Sequence, residues 1–173
     1  MNEFFKSLYE VVYSGRFLDI LGELVSEEDE TVLFTGNFAW IGMVAIVISF
    51  LIAFAFYIWP IDHPRFKAWW AWLIMLLLNG TICFFEAIGF ASARVSAIDS
   101  TLSVDEEDLW EGLLNSSLPD EASNTMLADS LSISQYLDFG FANVFWACVA
   151  FVVASLIFNW SSVNCKYSPF RRK

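Results

Sequence analysis

The stretch WWAWLIMLLLNGTICFFEAIGFA, Trp69 to Ala91, is apolar along almost its whole length. An α-helix needs about 20 consecutive apolar residues to cross the hydrocarbon core of a bilayer, so this stretch predicts a transmembrane helix. Two more runs meet the same length rule, FAWIGMVAIVISFLIAFAFYIW from Phe38 to Trp59 and FANVFWACVAFVVASLIFNW from Phe141 to Trp160. The sequence therefore predicts three membrane-spanning helices, the third of which covers 139–160.

The overall composition is typical of a membrane protein and argues against nucleic-acid binding. Of the 173 residues, 57% are hydrophobic, whereas soluble domains have an apolar share of roughly 45–50%. The formal net charge of −11 leaves no basic surface that could neutralise phosphates. The three cysteines, Cys83, Cys148 and Cys165, have no pair spacing, so we interpret them as buried or free thiols.

Basic residues close to the predicted spans indicate the orientation, because lysine and arginine are concentrated in cytoplasmic loops. Three crossings place the connector 60–68 and the tail 161–173 on the same side. These two segments contain Arg65, Lys67, Lys166, Arg171, Arg172 and Lys173. We therefore expect both of them in the cytoplasm, and the segments 1–37 and 92–138 outside. The opening residues contain no apolar signal region, so we expect the internal spans to direct insertion, with the bacterial inner membrane as the location.

Both predicted outer segments are acidic and carry short amphipathic patterns. In 1–37, apolar residues recur at helical spacing, which predicts a helix that lies on the membrane or on the spans, or that docks a partner. In 92–138, the capping box SVDE from Ser103 to Glu106 predicts a helix within a small extracytoplasmic cap. The apolar positions of the N-terminal pattern are Phe4, Phe5, Leu8, Val11 and Val12.

The second span carries an ionisable group, Glu86, in an otherwise apolar run. Its polar residues recur every three or four positions together with Phe90, which places them on one helix face. They are Asn79, Cys83, Glu86 and Arg94, and we call them the polar stripe. Three roles for Glu86 compete. It forms hydrogen bonds between helices, it lines a path for water or ions, or it receives a cation from a partner or ligand.

Small residues on the first and third spans predict close helix packing. Gly42 and Ser49 belong to such a face on the first span, and Ala147, Ala150 and Ala154 form one on the third. The third span also contains polar residues, and a three-helix bundle has few interior positions for them. We therefore expect some of these groups to face another subunit in an oligomer or complex. They are Asn143, Cys148, Ser155 and Asn159.

Enzyme chemistry finds little support in the sequence. The single histidine, His63, lies between Pro60 and Pro64 in the predicted connector, where a turn residue is the ordinary interpretation. The sequence contains no nucleophile–base pair, glycine-rich phosphate loop or metal-ligand spacing. We therefore predict no catalytic residues, no metal and no cofactor.

Together these patterns predict an all-α integral membrane protein with three transmembrane helices, an amphipathic N-terminal segment and a small helical extracytoplasmic cap. The predicted function is a non-enzymatic anchoring or scaffold subunit of a larger membrane-embedded assembly, of the secretion or transport type. The alternative is a homo-oligomeric cation-permeable channel, because acidic segments at a mouth concentrate cations and a polar stripe can line a path. The expected partners are membrane lipid and either further copies or other membrane subunits, without nucleic acid.

Overall fold

A computed structural model describes residues 2–13, 18, 21, 24–25, 32–34, 38–58, 69–102 and 132–161. Within these ranges four helices account for most of the chain. They are α1 (Asn2–Glu10), α2 (Phe38–Tyr57), α3 (Trp69–Leu102) and α4 (Ile133–Ser161). A short antiparallel pair of strands, β1 (Leu24–Val25) and β2 (Val32–Phe34), completes the described elements.

Three of the helices are long and apolar enough to cross a membrane, as the sequence predicts. The segments concerned are Phe38–Tyr57, Trp69–Ile98 and Ile133–Asn159. Many of their large apolar side chains point outward, which is the arrangement that a lipid environment favours because lipid tails are as apolar as leucine. Among the exposed side chains are Val47, Leu51, Leu77, Phe85, Phe145 and Ile157.

Two of these helices are longer than their apolar runs. α3 contains 34 residues and continues beyond Ala91 to Leu102, while α4 contains 29 residues and begins at Ile133. α4 begins within SISQYLDFGF, the segment in which the sequence predicts the start of the third helix outside the lipid, and this start has a local cause. The Gln135 side chain accepts a hydrogen bond from the Ser132 amide at 3.2 Å, which is one of the two bonds of a capping box. The sequence SISQ contains the signal for this cap.

The strand pair was not predicted from the sequence. Leu24 lies opposite Phe34 and Val25 lies opposite Val32, with an irregularity in the register between them. Strands of two and three residues are too short to show an alternation of apolar and polar residues, so the sequence pattern does not indicate them.

Several sequence predictions fall outside the described residues. These include the capping box at 103–106, most of the predicted cap, the connector with His63, and Cys165. The predicted cytoplasmic basic anchor, Lys166, Arg171, Arg172 and Lys173, lies there as well.

The chain divides into two compact units. We call Met1–Ile41 with Ala87–Phe139 the first unit, and Gly42–Glu86 with Gly140–Lys173 the second unit. In the first unit, Tyr9 of α1 is buried between two other rings. Its ring centroid lies 5.8 Å from that of Phe38 and 5.2 Å from that of Phe139. α1 ends at Glu10, and the Val12 and Tyr13 amides then donate hydrogen bonds to the Tyr9 carbonyl oxygen.

In the second unit, side-chain contacts give the direction of the three long helices. Asn79 of α3 contacts Ala147 of α4, and Cys83, one turn further along α3, contacts Asn143, one turn earlier on α4. α3 and α4 are therefore antiparallel in this unit. The contacts of Ser49 with Asn79 and of Ala45 with Cys83 show that α2 and α3 are antiparallel as well.

Candidate functional site

The second unit contains a group of polar side chains between its three helices, which we call the polar cluster. It consists of Ser49 on α2, Asn79 and Glu86 on α3, and Asn143 on α4. Ser49, Asn79 and Asn143 each have 0% of their surface exposed. Polar groups that are removed from water in this way need hydrogen-bond partners, so the partners define what the cluster does.

Asn79 connects all three helices. Its Nδ2 atom donates to the Ser49 Oγ on α2 and to the Ala147 carbonyl oxygen on α4, both at 3.1 Å. A carbonyl oxygen can only accept, so the Ala147 contact fixes the orientation of the Asn79 amide. The Ser49 hydroxyl in turn lies 2.8 Å from the Ala45 carbonyl oxygen and 3.2 Å from that of Ala147, and it can donate to either.

Asn143 makes the reciprocal connection from α4 to α3. Its Nδ2 atom donates to the Cys83 carbonyl oxygen at 2.8 Å and to the Glu86 Oε2 at 3.0 Å. Asn79 therefore divides its two bonds between α2 and α4, whereas Asn143 directs both to α3, and each amide reaches a backbone carbonyl oxygen across the α3–α4 contact. Two such bonds in opposite directions fix the axial register of α3 against α4.

Gly80 explains how two short asparagine side chains reach a neighbouring backbone. A Cβ atom at Gly80 would lie 3.2 Å from Val144 Cγ1 and 3.9 Å from Cys148 Sγ. A side chain at position 80 would therefore press on Val144, which would have to shift to admit even a methyl group. Small residues at a transmembrane interface allow this close approach of the backbones.

Further polar contacts join the same helices beside the polar cluster. The Trp72 Nε1 donates to the Ser155 Oγ at 3.2 Å, and Ser155 is fully buried. The Cys83 thiol lies 3.9 Å from the Ala45 carbonyl oxygen, a distance typical of a weak hydrogen bond from sulfur. Ser155 is one of the polar groups of the third span, some of which we expect to face another subunit, but in the structure it bonds within the chain.

Two acceptors of the polar cluster are buried and have no hydrogen-bond partner within the described ranges. They are the Asn79 Oδ1 and the Glu86 Oε1. The Glu86 side chain is half-buried, and only its Oε2 receives a hydrogen bond there, from Asn143. The cluster therefore retains capacity to accept a hydrogen bond from a water or another donor.

The predicted polar stripe is only partly one structural feature. Asn79, Cys83 and Glu86 contact the same neighbouring helices in the second unit. Phe90, which the sequence places on the same face, is exposed, while Arg94 is buried within the first unit. Ser49 and Asn143 are partners of this stripe, and the pattern along α3 contains no signal that would identify them.

The small residues predicted to pack helices lie mostly inside the second unit. Gly42, Ser49, Ala147 and Ala154 are buried, and Ala150 is half-buried. Ala147 packs with Ala45 and Cys83, whereas Ala154 packs with Ala53 and Phe151. These faces therefore serve the contacts between α2, α3 and α4 of one chain.

Among the residues that the structure describes, no three histidine, cysteine, aspartate or glutamate side chains are grouped so that they could hold a metal ion. Comparison with models of protein families, with curated proteins and with solved structures finds no match to the chain.

Proposed function

We propose that this protein is a non-enzymatic anchoring or scaffold subunit of a larger membrane-embedded assembly, of the secretion or transport type. The observation that carries the proposal is the use of the polar cluster. Ser49, Asn79 and Asn143 are fully buried and bond directly from helix to helix, so they hold the bundle. A bundle with a fixed helix register is suited to present its remaining surface and its acidic segments to partners.

Purification under mild conditions tests this proposal. The full-length protein, tagged and expressed at its natural level, should co-purify from a mild detergent with a reproducible set of other membrane proteins. Chemical cross-linking in intact membranes before lysis provides the control for association after solubilisation. A monodisperse monomer that is recovered without cross-linked partners would contradict the proposal.

The second candidate function is a homo-oligomeric cation-permeable channel, and Glu86 is the observation that favours it. Its Oε1 is a buried acceptor without a hydrogen-bond partner among the described residues, and such an oxygen can coordinate a cation or a water. A channel predicts that the purified protein is a homo-oligomer and conducts cations in liposomes. Glu86→Gln should then assemble normally but lose conduction or cation selectivity, whereas the scaffold function predicts no conduction by either protein.

We further propose that 60–68 and 161–173 are cytoplasmic, and that 1–37 and the region between α3 and α4 are outside, in a bacterial inner membrane. The antiparallel order of α2 with α3 and of α3 with α4 supports one side for the connector and the tail. An impermeant thiol reagent should label Ser123→Cys but not Ser168→Cys in intact cells, in a background without the native cysteines. The reverse labelling pattern would contradict the orientation.

A further inference from the structure

The short helix α1 has three different faces. Its first face is directed at the protein, where Phe5 and Tyr9 are buried and Tyr9 packs on Phe38 and Phe139. Its second face is polar and exposed, and it carries Glu3, Ser7 and Glu10. These two faces alone describe an ordinary amphipathic helix on a protein surface.

The third face is apolar and yet exposed. Phe4 has 66% of its surface exposed and Val11 has 78%. The two residues are seven positions apart, which is about two helical turns, so they lie one above the other on the same side. Val11 belongs to the closing turn after Glu10, where the bonds to the Tyr9 carbonyl oxygen continue the helical course.

The position of α1 in the first unit indicates what covers this face. Phe38, the ring on which Tyr9 packs, is the first residue of a membrane-spanning helix. Close to it in the chain, Trp40 has 65% of its surface exposed. Tryptophan is enriched where a span leaves the bilayer, because its ring is apolar and its N–H is polar. α1 is therefore held against the first residue of a span, at the level where a spanning helix enters the bilayer.

We propose that α1 lies in the bilayer interface, with Phe4 and Val11 in contact with lipid acyl chains and with Glu3, Ser7 and Glu10 directed to water. The occupant that we assign to the third face is the bilayer, because α1 packs through Tyr9 on Phe38, the first residue of a spanning helix, two residues before the exposed Trp40. α1 carries two glutamates and one lysine, so anionic headgroups do not attract it. Its contact with lipid rests on apolar burial and is independent of anionic lipid.

Spin labels on the two exposed faces test the proposal. Cysteines are introduced at Phe4 and Val11, and, as matched controls, at Ser7 and Glu10, in a full-length background without the native cysteines. The proteins are reconstituted into phosphatidylcholine liposomes. At positions 4 and 11, the spin label should collide more often with oxygen, which partitions into lipid, than with a water-soluble nickel complex. At positions 7 and 10, the label should collide more often with the nickel complex. Adding anionic lipid should change neither result.

A second measurement uses the unmodified protein and does not depend on the cysteine variants. Phosphatidylcholine with a photoreactive group in its acyl chain is incorporated into the same liposomes, and adducts are mapped by mass spectrometry. The proposal requires adducts within residues 2–13 as well as in the spans. Adducts in the spans alone would overturn it. Protection of Phe4 and Val11 from both collision reagents would also overturn it and would indicate a protein partner on this face.

Discussion

Each of the two units is stabilised internally by a different kind of contact. In the second unit, amide side chains on α3 and α4 bond to neighbouring helices, and Val144 of α4 packs closely on Gly80 of α3. In the first unit, the rings of Tyr9, Phe38 and Phe139 form a compact aromatic group.

The difference follows from the surroundings of each set of residues. Between membrane helices, burial of apolar surface gives little driving force, since lipid is equally apolar, so small residues and hydrogen bonds supply the association. Phe38 is the first residue of its span, and at the border of the bilayer water still competes as the solvent, so burial of an aromatic ring is favourable there. The comparison thus predicts which substitutions damage each unit.

Tyr9→Ala is expected to have the largest effect, confined to α1. Removal of a buried aromatic side chain costs about 3–5 kcal/mol, which is more than a helix of nine residues can offset. α1 should therefore detach from Phe38 and Phe139. Hydrogen–deuterium exchange should show loss of protection in residues 2–13, while Tyr9→Phe, which keeps the ring, should retain it. Unchanged protection in Tyr9→Ala would mean that the rings do not hold α1.

Gly80→Leu should destabilise the second unit, because its side chain needs the space that Val144 and Cys148 occupy. Overpacking of this kind costs about 1–3 kcal/mol. Gly89→Leu is the matched control, since nothing lies within 4 Å of a Cβ at that position. Both substitutions replace glycine by leucine in α3, so both gain the same helix propensity. The free energies of unfolding of the two variants are measured by titration with a denaturing detergent. Their difference gives the cost of placing a leucine side chain against Val144 and Cys148. Equal stability of the two variants would refute the close approach at Gly80.

Glu86 tests whether the polar cluster works by hydrogen bonding. Glu86→Gln retains an acceptor for Asn143, so it should keep the stability of the wild type. Glu86→Leu removes the acceptor and should cost about 0.6 kcal/mol, and at most about 1.7 kcal/mol. The same detergent titration measures both variants. If Glu86→Leu matches the wild type in stability and in co-purification, then Glu86 is dispensable to the cluster.

The smallest expected effect is a loss of α1 docking at high pH. Burial and the Asp138 carboxylate raise the pKa of the Tyr13 hydroxyl above its ordinary value. The folded state therefore holds this proton more tightly than the unfolded state. The contribution of the Tyr13 hydroxyl to the stability of the folded state is fully present below about pH 10 and declines as the pH rises further. The mobility of a spin label at Ser7→Cys should increase over this range, and Tyr13→Phe should reduce that increase. An identical pH response in both proteins would exclude Tyr13 as the cause.

The sequence by itself determined the three spanning helices and the existence of polar groups within them. The reason is that a bilayer requires a minimum length of apolar sequence, and a charged or amide residue within such a run is easily recognised. The start of α4 within SISQYLDFGF was also readable from the sequence, whereas the bond from the Ser132 amide to the Gln135 side chain is seen only in the structure. The orientation, the cap and the basic tail stay predictions.

Only the tertiary structure decided which groups meet. Helical periodicity placed Asn79, Cys83 and Glu86 on one face, but it contains no information on which helix that face contacts. The bond from Asn79 to the Ala147 backbone depends on the distance between α3 and α4, which Gly80 permits. Similarly, Asn143 appeared in the sequence as a polar residue in excess, and its role became clear only from its two partners on α3. Contacts between distant parts of a chain depend on how the helices pack, and a pattern along one helix cannot specify them.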